Sequence, residues 1–267
     1  MSTPSFVAFT GHAQSPVILH VPHSATDIPK SVRRNILLTD AELATEIAHM
    51  TDAHTAHIAL AAANGAALRP WVFVNQLSRL VVDPERFPDD REDMLSVGMG
   101  AVYTSTSHGQ PLRFDEPTHS AALLADYFHP YASAFADLVD DRLHAAGRAV
   151  IIDVHSYPRA GLPYERRPAA DRPAICLGVD AQHTPRALAE LAARAFSPVG
   201  TVGVNEPFTG TYVPLRHLGR ETRVESLMVE IRRDTYMTEP GGPVNSGLRL
   251  VTAAFDALLA GSATLVA

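Results

Sequence analysis

The chain has one cysteine (Cys176), one lysine (Lys30) and one tryptophan (Trp71). A lone cysteine excludes an internal disulfide framework and any zinc site built from several thiolates. With 22 Lys plus Arg against 29 Asp plus Glu, the formal charge is −7. The basic face that a general nucleic-acid binder uses to displace counterions is therefore lacking, and no nucleic-acid partner is expected. The uncharged runs of roughly 18 residues or more are broken by Pro, Gly, Ser, Thr and His, so none reads as a segment able to span a bilayer. Nor does the start of the chain couple a basic segment to a long apolar one, so the expectation is a cytoplasmic protein with no membrane partner. Also missing are a GxSxG elbow, an HExxH pair, a phosphate-binding P-loop and a GxGxxG turn, which removes the commonest serine-hydrolase, metalloprotease and nucleotide-binding readings.

What remains is an ordinary globular composition: 267 residues, 46% apolar and 19% charged. Such a length gives one or two domains of roughly 150 residues each. No linker, repeat or low-complexity tract divides the chain, so one domain over 1–267 is expected. Histidine is enriched, with 13 copies, and it is both a common metal ligand and the proton carrier nearest neutral pH.

Strand-like and helix-like segments alternate. Residues 16–21 read as a short buried strand running into Pro22-His23-Ser24. Residues 39–63 open with a Thr39/Glu42 capping box and carry apolar residues at helical spacing. Segments 71–74 and 77–82 look extended. Residues 83–116 are rich in Pro, Gly, Asp and Ser, a loop long enough to suggest a functional covering element. Residues 117–146 read as a helix that His129-Pro130 kinks or divides. Strands follow at 148–154, 174–179, 201–204 and 226–231. Thr184-Pro185 forms an N-cap and first-turn pair for an intervening helix, and a last helix covers 246–259. This alternation predicts an α/β fold with a mixed, mostly parallel sheet.

In open α/β sheets ligands gather beyond the carboxyl ends of strands. His23 follows the first strand, where it is either a surface loop residue or a group projecting from the sheet rim. The apolar run 149–152 leads into Asp153-Val154-His155. Period-two geometry sets Asp153 and His155 on one face, and a buried Asp153 requires a partner. Glu230 sits in an otherwise apolar strand, either as a catalytic carboxylate or as half of a buried ion pair with an arginine. His54 falls on the apolar stripe of the 39–63 segment, whereas Asp52 lies about 180° from it in an unbroken helix. Arg79 and Arg216 are natural bidentate partners for a carboxylate, with an Arg79–Asp83 pair as the plainer alternative. Cys176, within an apolar segment, reads as a small core residue. The simplest assembly of His23, His155, a carboxylate and Glu230 is a mononuclear zinc hydrolase, since catalytic zinc takes two His and a carboxylate and keeps one position for water.

A series of short segments runs in order along the chain: Val21-Pro22-His23-Ser24, Thr51-Asp52, Ser78-Arg79 with Val82-Asp83, and Gly98 through Tyr103. It continues through Gly109-Gln110-Pro111-Leu112, Asp153-Val154-His155-Ser156, Asn205 to Gly210, Arg216-His217, Val229-Glu230 and Tyr236-Met237. In these segments, their order and their spacing the chain resembles the N-formylglutamate amidohydrolase family. The resemblance implies a three-layer sandwich similar to zinc-dependent exopeptidases, and one zinc per chain held by His23, Asp52 and His155. It therefore also implies a helix break at Asp52. It implies Glu230 as general base and Arg79, Arg216, His217 and Asn205 as substrate-binding residues. The activity implied is hydrolysis of a linear amide in an N-acyl amino acid, with N-formyl-L-glutamate giving formate and glutamate as the reference case and a small-molecule substrate as the partner. Two loops depart from the family pattern, at Tyr157-Pro158-Arg159 and Gly210-Thr211-Tyr212. The alternatives are a zinc carboxypeptidase or amidase acting on a peptide or cell-wall fragment, and a non-catalytic metal-binding relative.

Overall fold

The computed structural model describes residues 5–169 and 171–262. Its framework is one seven-stranded sheet in the order β1-β3-β2-β4-β7-β5-β6. These strands are β1 (Phe6–Phe9), β2 (Val17–Val21), β3 (Trp71–Asn75), β4 (Ala149–Tyr157), β5 (Ile175–Gly178), β6 (Val202–Val204) and β7 (Val224–Arg232). Pairing is parallel for β2–β3, β2–β4, β4–β7 and β5–β6, and antiparallel for β1–β3 and β5–β7. The sheet is thus mixed and mostly parallel, as the alternating pattern predicts. β4 occupies its centre and every one of its residues is buried.

Side-chain alternation assigns each strand residue to a layer. Leu19, Ile152, Val154, Leu227 and Val229 face helices α3 (Thr55–Gly65), α6 (Arg186–Phe196) and α7 (Leu248–Ser262), joining Ile58, Leu188, Phe196 and Phe255 in the larger core. Ile18, Phe73, Ala149 and Ile151 face the opposite way, onto Tyr131, Phe135 and Val139 of α5 (His129–Ala146). Helices on both faces of a parallel-rich sheet make the α/β sandwich.

Two helix interruptions matter for the site. After a short helix α1 (Lys30–Arg33), the 39–63 segment is two helices, α2 (Asp40–Met50) and α3, rather than one. The Thr39/Glu42 capping box opens α2. Thr51 is extended at φ −82° and ψ 132°, and His54 is left-handed at φ 68°, so Asp52 lies between helices. Farther on, α4 (Pro117–Leu123) passes through a wide turn over Leu124–Phe128 into α5. Pro130 lacks the amide that would continue the ladder and its ring crowds the preceding turn, which accounts for the widening.

Two expectations need correction. Residues 77–82 form turns instead of a strand; their buried Leu77, Leu80, Val81 and Val82 do not alternate with period two. The Thr184 hydroxyl does not cap α6, which begins at Arg186 after Pro185; it donates to Ser226 O at 2.6 Å. The edge strand β1, only four residues long, was not anticipated. Among the described residues no helix is long and apolar enough to cross a membrane.

Candidate active site and metal centre

Because β2, β4 and β7 are parallel, their carboxyl ends open on the same sheet edge. A cavity of about 850 Å³ lies there, lined by His23, Asp52, Arg79, Asp83, Glu85, Arg86, Asp153, His155, Glu230 and Arg233 among others. His20 pairs with Asp153 and His155 with Glu230 across neighbouring strands, so the sheet register collects these groups on the α5 side.

His23, just beyond β2, and His155, inside β4, present their Nδ1 atoms to each other at 3.3 Å. Asp52 Oδ2 completes a triangle, 3.1 Å from His155 Nδ1 and 3.7 Å from His23 Nδ1. All three side chains are buried. Asp52 reaches this point because its amide donates to His23 O at 2.9 Å, which docks the α2–α3 break against the end of β2. Arg233 fixes the carboxylate from behind: it donates to Asp52 Oδ1 at 3.0 Å, to Ser156 O at 3.2 Å and to His49 O at 2.5 Å.

The remaining ring nitrogens set the tautomers. His23 Nε2–H donates to Asp83 Oδ1 at 2.9 Å. His155 Nε2 lies 3.1 Å from Asp153 Oδ2 and 3.1 Å from Glu85 Oε2. Protons placed on these nitrogens turn both Nδ1 lone pairs inward. Two lone pairs at 3.3 Å repel unless a positive charge sits between them. A tetrahedral ion with bonds of about 2.0–2.1 Å spaces its donors by about 3.3–3.4 Å, which matches the observed edges. The donor set, two imidazoles backed by carboxylates plus one carboxylate, therefore fits zinc or a similar divalent ion.

The electrostatics agree. Burial alone would raise the Asp52 pKa, but the neighbouring His155 and His23 imidazoles and the Arg233 charge outweigh it and hold the carboxyl below its usual range. Burial opposes a charge on His155, yet Asp153 and Glu85 raise its pKa well above the ordinary value. Asp83 is held low despite burial by Arg79 and His23, as Glu85 is by His155 and His20. This pocket is built to hold positive charge at the triangle.

Glu230 differs. Its pKa is pushed up to about 7, chiefly by burial, with the Asp52 charge adding to the effect. Its Oε2 is buried without a hydrogen-bond partner, and among the described residues no arginine forms an ion pair with it. The ion-pair alternative for Glu230 is thereby removed. A carboxylate that titrates near neutrality on a cavity wall is equipped for proton transfer.

Behind the triangle runs a second chain of contacts. His20 Nδ1–H donates to Asp153 Oδ1 at 2.9 Å, and its Nε2 meets Tyr131 OH at 2.6 Å. The ring is sandwiched by Phe135 and Tyr212, with centroids at 4.3 and 5.0 Å. Asp153 thus has the partners its burial demands.

The other anticipated residues divide. Arg79 lines the cavity but is engaged by Asp83 Oδ2 at 2.6 Å and Tyr103 OH at 3.0 Å. Arg216 lines the cavity rim, bonded to Asp137 at 2.7 Å and to Asp140. His217, 3.2 Å from Asp140, and Asn205 are not among the cavity-lining residues. Asn205 is left-handed at φ 55° and its Oδ1 accepts from Val179 N and Gly210 N, so it shapes the 205–210 loop. Both departing loops border the cavity, through Tyr157 and Pro158 and through 210–212, but Arg159 lies outside its lining. Residues 83–88 and 91–94 of the long loop do line the cavity. Sequence reasoning passed over Glu85, Arg86 and Arg233. The signal for Arg233 was its place at the end of the Glu230 strand; Glu85 and Arg86 carried none beyond adjacency to Asp83. Cys176 is buried, its thiol pushed up to about 11 by burial, which makes it an inert core group.

An α/β fold with a buried histidine–carboxylate cluster at the carboxyl ends of its strands places ionisable groups where such sheets bind ligands. The chain belongs to the N-formylglutamate amidohydrolase family, whose sequence profile matches residues 15–237. It is similar in structure to an N-formylglutamate amidohydrolase from Ralstonia eutropha JMP134, with a TM-score of 0.79, 22% identity and 99% of each chain covered. It is also similar to a gene product from Agrobacterium tumefaciens, with a TM-score of 0.69, 18% identity, and 97% of this chain and 94% of that one covered. At these identities the likeness establishes the fold. No curated protein gives a significant sequence match.

Proposed function

We propose that the chain is a metal-dependent amidohydrolase that cleaves N-acyl amino acids, with N-formyl-L-glutamate converted to formate and L-glutamate as the favoured reaction. The observation that carries this reading is the triangle of His23 Nδ1, His155 Nδ1 and Asp52 Oδ2, with edges of 3.1, 3.3 and 3.7 Å, on the same cavity wall as the unpartnered Glu230. Family membership favours the formyl substrate. His23, Asp52 and His155 would hold one zinc ion, which when bound supplies a Lewis acid that polarises the scissile carbonyl and acidifies water.

Glu230 takes the proton from the attacking water as the new C–O bond forms. It then returns that proton to the amine nitrogen as the C–N bond breaks, a transfer its elevated pKa suits. Asp83, Glu85 and Asp153 orient the imidazoles, and Arg233 orients Asp52. Arg79, pinned by Asp83 and Tyr103, adds a fixed positive charge for the developing oxyanion.

Arg86 is the arginine we assign to the substrate carboxylate. It lies 3.6 Å from both Asp83 and Glu92, too far to commit its donors to either, and it lines the cavity. Arg216 contributes attraction at the rim. Arginines along the cavity thus offset a net charge of −7 where an acidic substrate arrives.

A panel of N-formyl and N-acetyl amino acids tests the reading by formate or acetate release. N-formyl-L-glutamate is expected to give the highest kcat/KM. Cleavage of peptides with none of the acyl amino acids hydrolysed would favour the carboxypeptidase alternative. Stoichiometric metal without turnover of any substrate would favour the binding relative.

A further inference from the structure

A second group of metal-type donors lies outside the triangle and shares no residue with it. Glu46 and His49 stand three positions apart on α2, a spacing that sets two side chains on one helix face. That face meets the 104–112 part of the long loop, which contributes His108. One donor atom from each of Glu46, His49 and His108 lies within 4.8 Å of the others, and the two imidazole centroids are 5.2 Å apart.

The surroundings resemble those of a ligand set. The buried Glu46 carboxylate accepts from Ser107 N at 2.6 Å and from Ser107 Oγ at 2.7 Å. Ser107 Oγ is also 3.1 Å from His108 Nδ1. Such hydrogen bonds orient metal-binding carboxylates and imidazoles without using all their lone pairs. Meanwhile His49 Nδ1 is buried with no hydrogen-bond partner. A plain Glu46–Ser107 tie between helix and loop explains the serine contacts, but not this orphaned nitrogen beside a second imidazole. Among the described residues the remaining cluster of this kind, His20, Glu85 and Asp153, is spent on orienting His155.

We propose that Glu46, His49 and His108 form an auxiliary site for a divalent transition-metal ion, zinc being the best match to an imidazole-and-carboxylate set. Its occupation fastens the 104–112 segment to α2. The site adjoins the cavity, because His49 lines it and the His49 carbonyl accepts from the same Arg233 that holds Asp52. The assignment does not depend on the hydrolytic reading.

Zinc alone, titrated into the metal-free full-length chain by calorimetry with elemental analysis at each equivalence point, tests it. The wild type is expected to bind two equivalents, the second more weakly. His108→Ala removes an exposed side chain and is expected to keep the first equivalent while weakening the second at least tenfold. His155→Ala is expected to show the reverse, so failure of the triangle and failure of the auxiliary site give different isotherms. In the wild type the second equivalent is also expected to slow hydrogen exchange at the Ser107 and His108 amides. A single equivalent in the wild type that His108→Ala keeps and His155→Ala loses, or a His108→Ala isotherm equal to wild type, would overturn the proposal. So would a second bound ion that leaves those amides unchanged.

Discussion

Val154 and His155 are neighbours on β4 and both are buried, yet they belong to different worlds. Val154 faces α3, α6 and α7 within a cluster of buried apolar side chains. On the other face, Ala149 and Ile151 pack against α5, and then the same row turns to Asp153 and His155, where carboxylates and imidazoles surround a cavity. Burial is common to both faces; what differs is whether each buried atom finds an apolar neighbour or an ionic one. Substitutions on the first face are therefore expected to cost stability, and those on the second to cost chemistry or metal.

The sharpest separation is expected at Glu230. Glu230→Gln should keep metal content and lower kcat by about 10²–10⁴-fold, the usual contribution of a positioned proton carrier. Steady-state kinetics beside elemental analysis decides this, and near-normal turnover would remove Glu230 as the base. Stability should move the opposite way. Because burial raises the Glu230 pKa from 4.5 to about 7, its contribution to stability is full below 4.5 and is lost as pH rises through 7. At pH 8 the glutamine variant should melt no lower than wild type.

Next come the paired substitutions on adjacent β4 positions. Asp153→Asn should weaken metal binding by about 10–100-fold, the usual cost of losing a carboxylate behind a ligating imidazole. Ile152→Ala, its neighbour in the apolar layer, should destabilise the fold by about 2–5 kcal/mol and leave metal affinity unchanged. Denaturation and zinc titration on both variants distinguish the two faces; equal losses in both assays would erase the contrast.

Smaller effects are expected among the arginines. Arg86→Ala should raise KM about tenfold or more with little change in kcat, since a hydrogen bond to a charged group contributes about 1.5–3 kcal/mol. Arg216→Ala should change KM by less than about fivefold, because its donors are already taken by Asp137 and Asp140 at an exposed rim, where ion pairs contribute about 0–1 kcal/mol. A larger effect at Arg216 than at Arg86 would reverse these two assignments.

The same comparison explains what was legible in the sequence. The apolar layer announces itself through runs such as 149–152 and 227–229, so the strands, their layer and the mostly parallel sheet follow from local pattern. His155 and Glu230 stood out because each breaks such a run. Asp52 was different: helical periodicity placed it on a solvent face, and only family resemblance indicated a break. The break is a tertiary fact, made by the Asp52 amide bonding to His23 O and by a left-handed His54. Arg233 and Glu85 act through contacts with residues far away in the chain, and no local spacing encodes such contacts. Segment 77–82 misled for the converse reason: its apolar residues are buried in turns, where burial without period two reads as a strand.

The central claim is that His23, Asp52 and His155 hold a metal that Glu230 needs for amide hydrolysis. Formate release from N-formyl-L-glutamate, followed before chelation, after chelation and after zinc is returned, tests it most directly. The expected result is turnover that disappears with the metal and returns with zinc. Undiminished formate release by verified metal-free protein would contradict it.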